Sequence, residues 1–276
     1  MMSAVPSIYF IGAGPGDVSL LTVKAYGIMR RADLILYADS LVHPSIRSLA
    51  KPGAVIKESS GLTLEEIIVL MVDAARAGKL VARVQSGDPS LFGAIAEQIK
   101  QVEAAGLSYE IVPGVSSAFA AAARLGVELT VPGKTQTVIL SRCSGRTPVP
   151  AKERLRELAR HQATMVLFLS ISRIQQVVRE LRAAGYSENT PMAVVSRVTW
   201  EGEQILRGSL RSVVEQVRAA RLTRQALILV GPALAAHVGA DGIEPRSKLY
   251  DAGFHHLFRP RCADQSGTPP QKVRTS

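Results

Sequence analysis

The chain has 276 residues, 47% of them apolar and 5% aromatic, with a formal net charge of +10. That length suits two α/β domains, and no uninterrupted apolar run reaches the length of a membrane span. Two distant cysteines, Cys143 and Cys262, and five histidines without ligand spacing exclude a disulfide framework or a zinc site as the organising feature. The opening Met1–Ser7 contains Pro6 and no basic residue, unlike a secretory leader, so the expectation is a cytoplasmic protein without a bound metal or membrane contact.

The charge is unevenly spread. Residues 1–134 hold 12 basic and 12 acidic side chains, whereas residues 135–259 hold 18 and 10. Most cations of the second half are arginines, which suit bidentate recognition of carboxylate or phosphate. An anionic small-molecule partner is therefore expected there, although single arginines also populate solvated helix faces.

In chain order, the first element is an apolar strand, Ile8–Ile11, running into Gly12-Ala13-Gly14-Pro15-Gly16-Asp17 and a helix over Leu20–Arg30. This is the strand–turn–helix setting of a dinucleotide loop, but the third glycine of that fingerprint is replaced by Asp17 and Pro15 removes an N–H. A carboxylate at a helix start repels phosphate; it also makes an ordinary N-cap. The loop is expected to approach a ligand with its backbone, and that ligand is not a dinucleotide.

Further strands are predicted at Leu34–Tyr37, Val55–Ile56, Leu80–Val84 and Tyr109–Val112, with helices at Leu64–Ala77, Gly93–Ala105 and Ser117–Leu125. The pair Thr63 and Glu66 spells a capping box. Alternation of this kind predicts a mostly parallel sheet, with the helix at Ser117–Leu125 closing the half. After Glu128–Lys134, which reads as a linker, a second alternating series runs through strands Thr137–Ser141, Thr164–Leu169, Met192–Val198 and Ala226–Val230. A further strand at Glu201–Arg207, across a turn from the one before it, and helices at Ala151–Arg160, Ile174–Ala184 and Leu210–Arg221 complete it. The predicted architecture is α/β: an N-terminal domain at 1–132, a C-terminal domain at 133–245 and an extension at 246–276, disordered from Pro260. A ligand is expected in the cleft between the two domains.

Four strand ends share small, turn-forming residues: Gly12–Asp17, Gly87-Asp88-Pro89-Ser90, Pro113-Gly114-Val115-Ser116-Ser117, and Ser170. Strand ends free backbone N–H and C=O groups, and glycine lets a ligand approach them. Their joint occurrence points to one binding site.

With these motifs in order, the chain resembles the tetrapyrrole methylases over roughly residues 7–232. The resemblance is carried by G-A-G-P-G-D, Tyr37-Ala38-Asp39-Ser40-Leu41-Val42, G-D-P-S-L-F-G, P-G-V-S-S-A and Thr164–Leu169. Glu128–Gly133, Gln136–Leu140 and Arg246–Asp251 add a similarity to the branch that methylates C11 of precorrin-4 in cobalamin synthesis, giving precorrin-5. Cobalt-precorrin-4 is the alternative substrate. An RNA methylase of the same fold is a remote alternative, because that branch has a G-T-P-I-G-N-like first loop; no nucleic-acid partner is expected.

The resemblance implies a homodimer that binds S-adenosyl-L-methionine in the cleft and releases S-adenosyl-L-homocysteine. Carried over by position, the cofactor contacts are Pro15, Gly87, Asp88, Pro89, Ser116, Ser117, Leu169, Val198 and Ala226. Asp39 matches a proposed proton acceptor of the uroporphyrinogen enzymes, and is equally readable as a helix cap or anchor. Their lysine in the next loop is absent, with Glu58 or Ser59 standing there. Arg83, Arg142, Arg146 and Arg197 lie beside predicted strand ends and are the expected clamps for substrate carboxylates.

Overall fold

The computed structural model describes residues 6–145, 147–235, 247–248, 251, 253–255 and 259. Met1–Gly239 belong to one compact unit and Ala240–Ser276 to a second. The first unit is built on two five-stranded sheets.

The first sheet takes β1 (Ile8–Gly12), β2 (Leu34–Tyr37), β3 (Val55–Glu58), β4 (Val81–Gln85) and β5 (Tyr109–Val112) in the order β3-β2-β4-β1-β5, all parallel. Strands β1, β2 and β4 are buried along their whole length, which is why they read as continuous apolar runs instead of alternating ones. Alternate residues of β1 feed two cores. Tyr9 and Ile11 meet helix α1 (Val23–Met29), while Ile8 and Phe10 meet α2 (Leu64–Arg76) and α3 (Ile95–Ala104).

The capping box opens α2: Thr63 Oγ1 accepts the Glu66 N–H at 3.3 Å, and Glu66 Oε2 accepts the Thr63 N–H at 2.8 Å. Helix α1 starts later than the sequence suggests. Asp17 caps a separate 3₁₀ turn at Val18–Leu20, and Thr22 then caps α1 itself.

The second sheet contains β6 (Val138–Arg142), β7 (Thr164–Phe168), β8 (Pro191–Ser196), β9 (Gln204–Ser209) and β10 (Ala226–Val230), ordered β6-β7-β10-β8-β9. Only β6 and β7 are parallel; the other neighbours are antiparallel. Strand β9 follows β8 across residues 197–203 as a hairpin, so the helix–strand alternation does not continue into a parallel sheet here.

Helices α5 (Leu155–Ala159), α6 (Ile174–Ala183) and α7 (Val213–Ala219) cover one face of this sheet. The other face is covered by α4 (Ser117–Leu125), through Ala118, Ala120, Ala121, Ala122 and Leu125 against Val166, Ala193, Val195, Leu227 and Leu229. Helix α4 therefore leaves the first sheet to pack on the second. Its alanines allow close approach, and burying Leu125 contributes about 2 kcal/mol.

None of the described helices is long and apolar enough to cross a membrane, and the described residues contain no group of three or more His, Cys, Asp or Glu side chains placed to hold a metal. In the second unit, Asp251 Oδ1 accepts the Gly253 N–H at 2.7 Å. Cys262, half of the Arg246–Asp251 motif (Arg246, Leu249 and Tyr250) and the predicted disordered segment Pro260–Ser276 lie outside the described residues.

Candidate active site

A cavity of about 560 Å³ opens where the C-terminal ends of β1 and β4 meet loops of the second sheet. That is the volume of a typical cofactor or ligand pocket. On the first sheet its wall is backbone packed against backbone. A Cβ on Gly12 would lie 2.6 Å from both Gly114 N and Gly87 O, and one on Gly114 would lie 2.2 Å from Gly87 O. Only hydrogen fits at these positions, so the loops after β1, β4 and β5 close into one surface.

Asp88 stitches that surface together. Its Oδ2 accepts the Gly114 N–H at 2.9 Å, and its Oδ1 accepts the Ser90 N–H at 2.9 Å and the Ser90 hydroxyl. Burial alone would raise its pKa, but these hydrogen bonds outweigh burial and hold it below the ordinary value.

The second sheet supplies side chains. Phe168 ends β7 and Leu169 follows it, Arg197, Val198 and Trp200 follow β8, and Thr223–Leu227 lead into β10. Four cavity residues that are not glycine have positive φ: Phe92 (58°), Leu169 (52°), Arg197 (51°) and Gln225 (52°). Each such conformation costs on the order of 1–2 kcal/mol, a load that the surrounding packing must offset.

Trp200 joins the two walls. Its indole N–H donates to Pro15 O at 2.7 Å, and a Cβ on Gly16 would lie 2.2 Å from its Cδ1. The Asp17 N–H donates to Thr199 Oγ1 at 3.0 Å, His43 meets the indole edge-on at 4.7 Å, and the Arg197 guanidinium sits 5.6 Å from its ring centre. The Asp17 N–H, a donor of the kind that a phosphate loop offers to its ligand, is thus taken by the protein itself. Asp17 meanwhile caps the following turn, its Oδ1 accepting the Ser19 N–H at 2.8 Å. That bond, then one with the Ser19 side chain, keeps its pKa low.

Of the residues expected to hold a cofactor, Pro15, Gly87, Asp88, Ser116, Ser117, Leu169, Val198 and Ala226 all line this cavity. Pro89 is not in its lining; it stands behind the wall, where its carbonyl leaves no room for a Cβ on Gly93.

The expected arginines divide. Arg197 is on the rim. Arg83 is buried, with Nε donating to Gln98 Oε1 at 2.9 Å and Nη1 to Ser59 Oγ at 3.0 Å and Leu36 O at 3.3 Å. Burial pulls its pKa down to about 10. A residue on a central strand facing α3 cannot reach a ligand, so Arg83 is an internal brace and not a substrate clamp. Arg142 donates to Thr147 O and Pro148 O, both at 3.0 Å, closing its own loop away from the cavity. Arg146 lies outside the described residues.

Asp39 does not face the cavity, although Ala38, Ser40 and Leu41 do. Its Oδ1 accepts the N–H groups of Ser59 (3.1 Å) and Ser60 (2.8 Å), and its Oδ2 accepts the Ser60 hydroxyl at 2.6 Å. Burial opposes the charge, but the Ser60 and Ser59 bonds prevail and lower its pKa. A saturated carboxylate of low basicity is a loop anchor and a poor proton acceptor. Glu58 accepts from the Tyr37 hydroxyl at 2.7 Å, and Ser59 is buried against Arg83. Gln85, Phe92, Phe168, Trp200 and Arg224 line the cavity without having been singled out in the sequence. The clearest available signal was the lone tryptophan just beyond a strand end.

Residues 7–214 match the model of the Tetrapyrrole (Corrin/Porphyrin) Methylases. The chain belongs to the tetrapyrrole methylases. A solved cobalt precorrin-4 methyltransferase, described as a cobalamin biosynthetic enzyme, superposes with a TM-score of 0.80 at 48% identity, covering 82% of this chain and 95% of its own. The precorrin-4 C(11)-methyltransferase of Pseudomonas aeruginosa is 45% identical, over 92% of this chain and 99% of that protein. The uroporphyrin-III C-methyl transferase of Thermus thermophilus, solved in complex with S-adenyl homocysteine, gives a TM-score of 0.70 at 30% identity, over 83% of this chain and 98% of its own.

The cavity of this tetrapyrrole methylase fits a nucleoside–amino-acid molecule of that kind. It is concave, walled by strand-end backbone, and flanked by the N-terminus of α4 at Ser116 and Ser117. That terminus favours the carboxylate of an amino-acid moiety.

Proposed function

We propose that this chain transfers a methyl group from S-adenosyl-L-methionine to C11 of precorrin-4, giving precorrin-5. The observation that carries the reading is the near-full-length similarity to proteins bearing that name. It is supported by a cavity that gathers all but one of the residues expected to hold the donor.

When bound, S-adenosyl-L-methionine supplies an electrophilic methyl group on its sulfonium. The protein's task is then orientation, because an in-line displacement needs no covalent nucleophile from the chain. Pro15, Gly87, Asp88, Ser116, Ser117, Leu169, Val198 and Ala226 are assigned to the donor, and Pro89 to supporting them from behind. Arg197 is assigned to the carboxylates of the substrate. Asp39 is assigned to holding the loop after β2 in shape.

The test is incubation of the pure protein with methyl-labelled donor and precorrin-4, following label into C11 by NMR. Absence of labelled precorrin-5 under conditions in which the donor binds would sink the reading. Cobalt-precorrin-4 is the second reading, favoured by the 48% identity to the cobalt-named structure. Parallel assays with and without cobalt separate the two by kcat/KM.

We further assign a cytoplasmic homodimer. Val23 on α1 and Phe119 on α4 are 90% and 58% exposed, apolar surface that a second copy would cover. Sedimentation equilibrium decides that point, and a monomer at micromolar concentration overturns it.

A further inference from the structure

Gln85 is the last residue of β4 and lines the cavity, yet its side chain is unmatched. The residue is 6% exposed and its Nε2 is buried with no hydrogen-bond partner. Two other buried side-chain atoms of the described residues share that condition, Thr164 Oγ1 and Gln216 Oε1, and neither residue lines the cavity. Buried donors in folded proteins are nearly always paired, so an orphan in a ligand cavity calls for an acceptor from outside the chain.

Its surroundings explain why the protein supplies none. Gln85 pairs with Gly12 in the sheet, and its carbonyl accepts the Ala13 N–H at 2.8 Å. On the other side the Ala38 N–H donates to Val84 O at 3.1 Å, so the loop after β2 runs past the end of β4. The carboxylates of the loops that follow β2 and β4 are both occupied: Asp39 by Ser59 and Ser60, Asp88 by Ser90 and Gly114. None of the residues assigned to the methyl donor comes from the β2 loop, whose Ala38, Ser40 and Leu41 line the wall beside Gln85.

We propose that Gln85 is a substrate-binding residue, whose amide N–H donates to a carboxylate oxygen on the tetrapyrrole and orients the ring against the β2 wall. This rests on the reading that the chain methylates an anionic tetrapyrrole. The terminal amide torsion is broad and roughly two-fold, so the donor can turn into the cavity when an acceptor arrives.

The experiment compares wild type with Gln85→Leu and Gln85→Glu, in full-length protein. Three quantities are read: KM and kcat for the tetrapyrrole, S-adenosylhomocysteine affinity by calorimetry, and the thermal midpoint. KM should rise about fivefold to tenfold in Gln85→Leu, the loss of one hydrogen bond, and further in Gln85→Glu, which sets a negative charge against the carboxylate. S-adenosylhomocysteine affinity should stay within about twofold, and the midpoint of Gln85→Leu should hold or rise, because an unmet donor has been removed.

An unchanged KM in both variants overturns the proposal, with or without a higher midpoint. So does a loss of S-adenosylhomocysteine affinity with an unchanged KM, which would give Gln85 to the donor. Should Gln85→Leu fail to fold, Gln85→Asn, which withdraws the amide by one methylene, must raise KM for the proposal to stand. Wild type that turns over neither tetrapyrrole overturns the functional reading and this one with it. Normal turnover with indifferent variants overturns only the role of Gln85.

Discussion

Where the first sheet meets the cavity, Gly87 lines it, and Gly12 and Gly114 pack behind it so closely that a Cβ on either of these two would collide with backbone. Where the second sheet meets it, the wall is made by Leu169, Arg197, Trp200 and Gln225, and three of these hold left-handed backbone without being glycine. The first side takes its shape from that close backbone packing, and Ala38, Leu41, Gln85 and Asp88 complete its lining. The second presents chemistry, apolar, aromatic and cationic, and bears the strain of aiming it. A methylase needs both: a rigid seat for one small molecule, and side chains that recognise a larger anionic one.

The contrast can be broken most directly at Gly114. Gly114→Ala drives a Cβ into the Gly87 carbonyl, with backbone on both sides and nothing flexible to yield, so a loss of about 3 kcal/mol or more is expected. Urea unfolding measures it, and a wild-type midpoint would mean that the glycine wall is softer than its geometry.

Trp200→Ala comes next, at about 2–3 kcal/mol, since it removes the indole packed on Gly16 and the bond to Pro15 O. Trp200→Phe should recover most of the packing while still lacking the N–H donor. If both variants unfold like wild type and bind S-adenosylhomocysteine equally well, the two walls are not joined through this residue.

Asp88 sharpens the comparison through pH. Its folded pKa lies below the ordinary 3.8, so the unfolded chain binds that proton more readily. The stability it contributes is complete above the unfolded value, near about pH 4, and is lost as pH falls through the folded value. Asp88→Asn should flatten that part of the acid unfolding profile, measured as midpoint against pH, and leave the neutral-to-basic limb parallel to wild type.

The smallest effect belongs to the second wall. Leu169→Gly relieves a φ of 52° and should change stability by no more than about 1 kcal/mol, in the favourable direction, while weakening donor binding. A destabilised Leu169→Gly would show that its side chain, 60% exposed, packs more than it is strained.

Much of the fold was legible because its signals are local. Strands β2, β5 and β10 and helix α4 fall on the predicted residues, marked by short apolar runs and, for α4, by Ser116 as its cap. The β8–β9 reversal was legible as a further strand across a turn, although β9 runs Gln204–Ser209 and not Glu201–Arg207. The antiparallel pairing of β10 with β7 and β8 was not legible, because strand direction is set only when the sheet assembles. Nor was the packing of α4, since an alanine-rich face records only that something approaches closely, not which sheet does.

The same division runs through the site. The glycine-rich strand ends announced themselves, because a missing Cβ is visible in any sequence. Arg83 misled and Asp39 was readable two ways, because an arginine or aspartate next to a strand end looks the same whether it faces a ligand or braces a turn.

What the sequence determined by itself is the set of loops that line the cavity, and, through Pro15 and Asp17, the departure from a dinucleotide fingerprint. Only the tertiary structure decided where those loops spend their polar groups. Pro15 O is capped by Trp200 and the Asp17 N–H by Thr199, partners more than 180 residues away along the chain. Hydrogen bonds at such separations depend on how two sheets pack, and no local pattern encodes that.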